Sequence, residues 1–141
     1  MCSSDLLATA GGLLAAGLTI LAVGVTRVFV PQDLTFMRTT PEALGAISPR
    51  LIPLIAHDRA GFGGALASFG VAMFASVRYG RPSKALWQAL GIAGLAGFGT
   101  AVGVHPAIGY LSVTHLAPAV LGFVVFTTGL AFASLGSRAA G

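Results

Sequence analysis

The stretch LATAGGLLAAGLTILAVGVT, Leu7 to Thr26, decides how the rest of the chain is read. It holds no charged side chain. At 1.5 Å rise per residue, about 20 helical residues cross a hydrocarbon core of roughly 30 Å. The run does not alternate apolar with polar residues, as a strand of a membrane barrel would. A helix is the other backbone that satisfies its own hydrogen bonds in lipid. Three further runs have the same character, and we read spans over 7–30, 60–79, 85–104 and 108–135. The expected fold is all-α: an integral membrane four-helix bundle with a short helical extramembrane cap, residues 31–59, between the first and second spans.

Composition agrees. Of 141 residues, 55% are hydrophobic and 9% charged, and the mean hydropathy is +0.89. A soluble domain carries roughly 25% charged residues because its surface faces water. That contrast excludes a soluble enzyme, a disordered chain and a disulfide scaffold. The net charge of +4 comes from eight basic residues scattered along an apolar chain. With no basic stripe and no interleaved aromatics, these cations read as loop charges that orient membrane spans, and nucleic acid is not an expected partner. The expected partner is the lipid bilayer, and the expected location is the cell membrane, as a multi-pass protein of a bacterial inner membrane.

The single cysteine is Cys2. Met1-Cys2-Ser3-Ser4-Asp5-Leu6 is what one frame of a common sequencing-adapter end encodes, so residues 1–6 are expected to be foreign to the native chain. Thiol catalysis and cysteine-ligated metal then drop out. The start shows no basic segment ahead of a short apolar core, so no secretory signal is readable.

The joints are marked by proline and glycine. Tyr79-Gly80-Arg81-Pro82-Ser83-Lys84 reads as a short turn, with glycine closing one helix and Pro82 opening the next. Val104-His105-Pro106 should end the third span, because a residue before proline avoids the helical region. The long joint holds seven of the twelve charges: Arg27, Asp33, Arg38, Glu42, Arg50, Asp58 and Arg59. Thr40-Pro41-Glu42 fits a helix start with Thr40 as N-cap, and Ser48-Pro49 fits a second. We read a short helix, then a helix that runs on into the second span.

Glycines recur at intervals of seven: Gly17 and Gly24, Gly63 and Gly70, then Gly122, Gly129 and Gly136. A seven-residue repeat stays on one face of supercoiled helices, and small residues let backbones approach in lipid. Gly99 and Gly103 add a GxxxG pair on the third span. All nine are expected at helix seams.

The candidate polar site lies at one membrane face. His57 precedes the second span, His105 ends the third and His115 opens the fourth, with Asp58, Arg59, Asp33 and Arg27 on that side. Seven residues before Gly122, His115 should point into the bundle, near the Thr114 carbonyl that Pro118 leaves without its helical donor. An inward polar group near the boundary is a functional candidate; the alternative is a histidine donating to a free carbonyl or to Asp58. Consecutive residues on a helix point about 100° apart, so His57, Asp58 and Arg59 cannot converge on one small atom and also suit an interfacial anchor. A quinone headgroup, haem or a small solute are the ligands that such a polar mouth would take. With only Asp58 beside the histidines, no metal site is expected. No dinucleotide, phosphate-loop, HExxH or GxSxG motif is present, so no catalytic residue is assigned.

Four segments carry a resemblance: Val28 to Met37, Ser48 to Gly64, Gly103-Val104-His105-Pro106 and His115-Leu116-Ala117-Pro118. Together they resemble an uncharacterised bacterial membrane region associated with dihydroorotate-dehydrogenase-like proteins, over roughly residues 28–122. The resemblance implies that the region follows a flavin-binding barrel upstream. It carries over no catalytic residue, since nothing in these residues matches a flavin or pyrimidine site. The expected role is an anchoring or structural module that holds an N-terminal domain or a partner subunit at the bilayer. The alternative is a redox or transport role at the histidine face.

Lysine and arginine tie between the two faces, and the short, unpaired loop Arg78-Arg81-Lys84 tips the orientation to cytoplasmic termini. An alkaline-phosphatase reporter fused after Gly141 should therefore be inactive; periplasmic activity would reverse the orientation.

Overall fold

The structure is a computed structural model that describes the backbone of residues 2–139 and the side chains of residues 4–136. It is all-α, with no strand among the described residues. Six helices run in order: α1 (Cys2–Thr26), α2 (Pro31–Met37), α3 (Pro41–Ile47), α4 (Leu51–Tyr79), α5 (Lys84–Ile108) and α6 (Val113–Ala139). Four of them, α1, α4, α5 and α6, are long and apolar enough to cross a membrane, as a four-helix membrane bundle requires. Several hydroxyls inside these helices are satisfied locally. Thr9, Thr19 and Thr26 donate to the carbonyls of Asp5, Ala15 and Ala22 at 2.9, 2.8 and 2.6 Å. Ser68 and Thr127 donate likewise to Gly64 and Phe123. In lipid no water would take those protons.

Helix boundaries differ from expectation in four places, each for a local reason. First, α1 stops at Thr26 rather than Val30. Pro31 holds Val30 extended (φ −99°, ψ 156°), so the helix closes earlier, with the Val28 amide donating to the Val23 carbonyl at 2.7 Å. Val28 sits at φ 62°, a left-handed conformation rare for a β-branched residue. Second, a further short helix, α2, opens the cap ahead of the short helix read from Thr40-Pro41, while α4 begins at Leu51 and runs on into the second span. Thr40 Oγ1 accepts the Ala43 amide at 3.3 Å with Pro41 in the first turn of α3. Third, α5 opens at Lys84 with Ser83 Oγ accepting the Leu86 amide at 3.2 Å, so Pro82 lies outside it. Fourth, α5 continues through Pro106 to Ile108 and ends on Gly109 at φ 76°. There the Tyr110 amide closes onto the His105 carbonyl at 2.9 Å. A proline this close to the C-terminal end removes one hydrogen bond, while a left-handed glycine provides the stop. Residues 108–112 therefore precede the fourth long helix instead of opening it.

The chain forms two compact units. One is Leu14–Phe69, and its seam is backbone against backbone. A Cβ on Gly17 would collide with the Ala67 amide nitrogen and stand 2.7 Å from the Gly63 carbonyl oxygen. A Cβ on Gly63 would collide with the Leu21 amide nitrogen and stand 2.7 Å from the Gly17 carbonyl oxygen. One turn pair further along, Gly24 faces Ala60, with 2.8 Å from its Cβ position to the Ala60 nitrogen. Phe29 and Leu44 are buried in the same unit.

The other unit gathers Met1–Leu13 and Gly70–Gly141. Its core includes Leu6, Met73, Leu90, Phe98 and Phe126. Here the seam is glycine against aromatic. A Cβ on Gly94 would collide with the Phe126 ring, and one on Gly122 would lie 3.1 Å from the Phe98 ring. Gly129 faces α1, where a Cβ would stand 2.9 Å from Asp5 Cβ and 3.3 Å from the Leu6 nitrogen. Met1 and the side chains of Cys2 and Ser3, in the stretch expected to be adapter-derived, lie outside the described residues; Leu6 is fully buried.

Not every expected glycine lies at a seam. Gly70 is buried, but Gly99, Gly103 and Gly136 are exposed, with nothing within 4 Å of where a Cβ would stand. The α5 seam runs through Gly91, Gly94 and Phe98 instead, on a different face from the GxxxG pair. Gly17→Ala should thus cost about 1–3 kcal/mol in reversible unfolding from bicelles, because backbone must move. Gly99→Ala should be neutral or stabilising by up to about 1 kcal/mol, since it only removes glycine's backbone entropy. Equal losses would contradict these seams.

Candidate functional site

The seven polar residues expected at one mouth resolve into three local arrangements, two in the Leu14–Phe69 unit and one in the other. The first is built on α2 and α4. Asp33 sits in the first turn of α2, and its Oδ2 accepts the Val30 amide at 3.1 Å, capping the helix. The same oxygen accepts Arg59 Nη2 at 2.8 Å. The Asp33 side chain is only 9% exposed and that of Arg59 24%. A buried carboxylate needs such partners, because water no longer solvates it. The pair therefore fixes α2 to α4, which is a structural task.

The second is on α4 alone. His57 Nδ1 lies 3.1 Å from Asp58 Oδ1, with the side chains 82% and 72% exposed. Neighbours on one helix turn outward together here, and no third group joins them. Arg27 is exposed and makes no ion pair among the described residues. Of the expected group, then, Arg59 pairs inward while His57, Asp58 and Arg27 face outward.

The third lies at the α5–α6 turn. His105 Nδ1 is 2.7 Å from the Ala101 carbonyl oxygen. Only a protonated Nδ1 can donate there, so in the neutral ring Nε2 carries the lone pair. Gly109 turns the chain back, and Tyr110 and His115 come against the same ring. Centroids are 5.6 Å apart for His105–Tyr110, 5.4 Å for His105–His115 and 4.9 Å for the stacked Tyr110–His115 pair. His115 is exposed, contrary to the inward direction expected from its spacing to Gly122. The heptad fails because α6 starts only two residues earlier, so His115 packs on the turn rather than along the seam. Tyr110 was not singled out in the sequence. Its position midway between two histidines across a Gly109 turn was the available clue.

No three His, Cys, Asp or Glu side chains come together to hold a metal ion among the described residues. Two imidazoles fall short of the three protein ligands of a catalytic zinc site. What the cluster offers is a ring stack with one imidazole lone pair at the mouth of a helical hairpin.

No protein-family model matches the chain, and no curated protein or solved structure matches it.

The Asp33–Arg59 pair generates a direct test. Arg59→Leu strands a carboxylate and should cost about 3 kcal/mol. Adding Asp33→Leu should recover most of that loss, leaving about 1 kcal/mol for the lost cap on Val30. A double variant as unstable as Arg59→Leu alone would show that the two charges are not coupled.

Proposed function

We propose that this chain is an anchoring and structural module of the cell membrane, holding an N-terminal domain or a partner subunit at the bilayer. The observation that carries the reading is the engagement of Asp33. It is the buried charge among the expected site residues, and its carboxylate is taken up by Arg59 and the Val30 amide, within the protein itself. A solute-coupling carboxylate would instead face a cavity or a pathway. The glycine seams add rigidity, which suits an anchor. The resemblance to the membrane region of dihydroorotate-dehydrogenase-like proteins supplies one candidate for what is anchored, a flavin-binding barrel in a bacterial inner membrane. That identification rests on the resemblance alone.

A second reading has its own observation. The His105–Tyr110–His115 stack presents aromatic faces and an imidazole acceptor, the groups that hold a quinone headgroup. Purification in mild detergent separates the two. The anchoring reading predicts no Soret band in the absorption spectrum and no quinone in an organic extract. A stoichiometric quinone, lost in Tyr110→Leu and His115→Leu, would establish the ligand-binding reading instead.

A further inference from the structure

We infer that α2 is an interfacial helix that lies in the surface of the bilayer, with Phe36 and Met37 at the acyl-chain boundary and the guanidinium groups of Arg27 and Arg38 on anionic phospholipid headgroups. The inference rests on the reading of α1 and α4 as membrane spans, and it goes beyond anchoring by naming the lipid chemistry that the cap recognises.

Depth is the first step. At 1.5 Å per residue, α4 is longer than the roughly 30 Å core, so part of it must stand outside. Measured back from Arg78 near its end, about 20 residues reach Arg59. Ala60, the next residue, packs against Gly24 two residues before the end of α1. The bilayer boundary on this side therefore falls near Gly24 and Arg59. Asp33 is held to Arg59 at 2.8 Å, which places α2 at that depth. The short link from Thr26 to Pro31 gives it little freedom to rise.

Chemistry is the second step. α2 buries Asp33 and leaves Thr35, Phe36 and Met37 exposed. Two large apolar side chains facing outward suit lipid and not water. Arg38 follows directly in a left-handed C-cap (φ 51°), exposed, and Arg27 precedes the helix, also exposed. Neither makes an ion pair among the described residues, whereas Arg59 does. Apolar side chains flanked by free arginines at the boundary match the acyl-chain edge and phosphate layer of an anionic membrane.

The test uses the full chain with Cys2→Ser, reconstituted in phosphatidylcholine–phosphatidylglycerol vesicles, carrying one nitroxide at a time. Sites are Phe36→Cys, Glu42→Cys on the exposed face of α3, and Ile92→Cys on the exposed face of α5. Collision with oxygen against a water-soluble nickel chelate reads depth. The expected result is immersion at 36 and 92 and an aqueous signature at 42. Position 92 immersed with 36 aqueous would overturn the interfacial helix while keeping the spans. Position 92 aqueous would overturn the membrane reading itself. For the headgroups, spin-labelled phosphatidylglycerol should associate in preference to phosphatidylcholine, and the preference should fall about five-fold for each of Arg27→Gln and Arg38→Gln. An unchanged preference would overturn the headgroup contact.

Discussion

The contact between the backbones of α1 and α4 at Gly17 and Gly63 is the constraint from which the Leu14–Phe69 unit follows. In lipid, apolar side chains gain nothing by leaving one hydrocarbon environment for another. Helices associate there through close van der Waals packing. Two glycines that each face the other's carbonyl oxygen allow the closest approach available. The register they set brings Gly24 opposite Ala60 and so delivers Arg59 to the level where the chain leaves α1. Asp33 can then cap α2 and meet Arg59 with one oxygen. The cap is a consequence of the crossing.

The other unit solves the same problem with different shapes. Gly94 makes room for the Phe126 ring, and Gly122 for the Phe98 ring, so α5 and α6 interlock glycine against aromatic. The turn between them is stopped by Gly109 at positive φ and covered by the stacked rings of His105, Tyr110 and His115. The Asp33 cap and the ring stack thus sit at helix ends, where backbone groups lack helical partners and side chains can satisfy them.

Much of this was legible in the sequence. Length and uniform apolarity fix the four long helices, and Thr40 ahead of Pro41 marks the start of α3 because a hydroxyl there meets an orphan amide. Gly17 and Gly63 could be singled out from their heptad spacing. What the pattern could not rank was which small residues face protein. Gly99 and Gly103 look as good as Gly91 and Gly94, because both the lipid face and the packed face of a span are apolar and no polar stripe indexes them. His115 was misdirected for a related reason: a heptad counted back from Gly122 says nothing about a residue in the first turn, where the preceding loop supplies the neighbours. Pro106 looked like a stop, yet a helix loses little when the proline falls within its last turn.

The Leu14–Phe69 unit stands on the α1–α4 crossing, and disulfide trapping tests that crossing most directly. In a Cys2→Ser background, Gly24→Cys with Ala60→Cys places two thiols where the backbones nearly touch, and mild oxidation in membranes should cross-link them within a single chain. Gly61→Cys, which faces open space, should not cross-link with Gly24→Cys under the same conditions. No cross-link between positions 24 and 60, in protein that is folded and inserted, would contradict the crossing and the depth of α2 that follows from it.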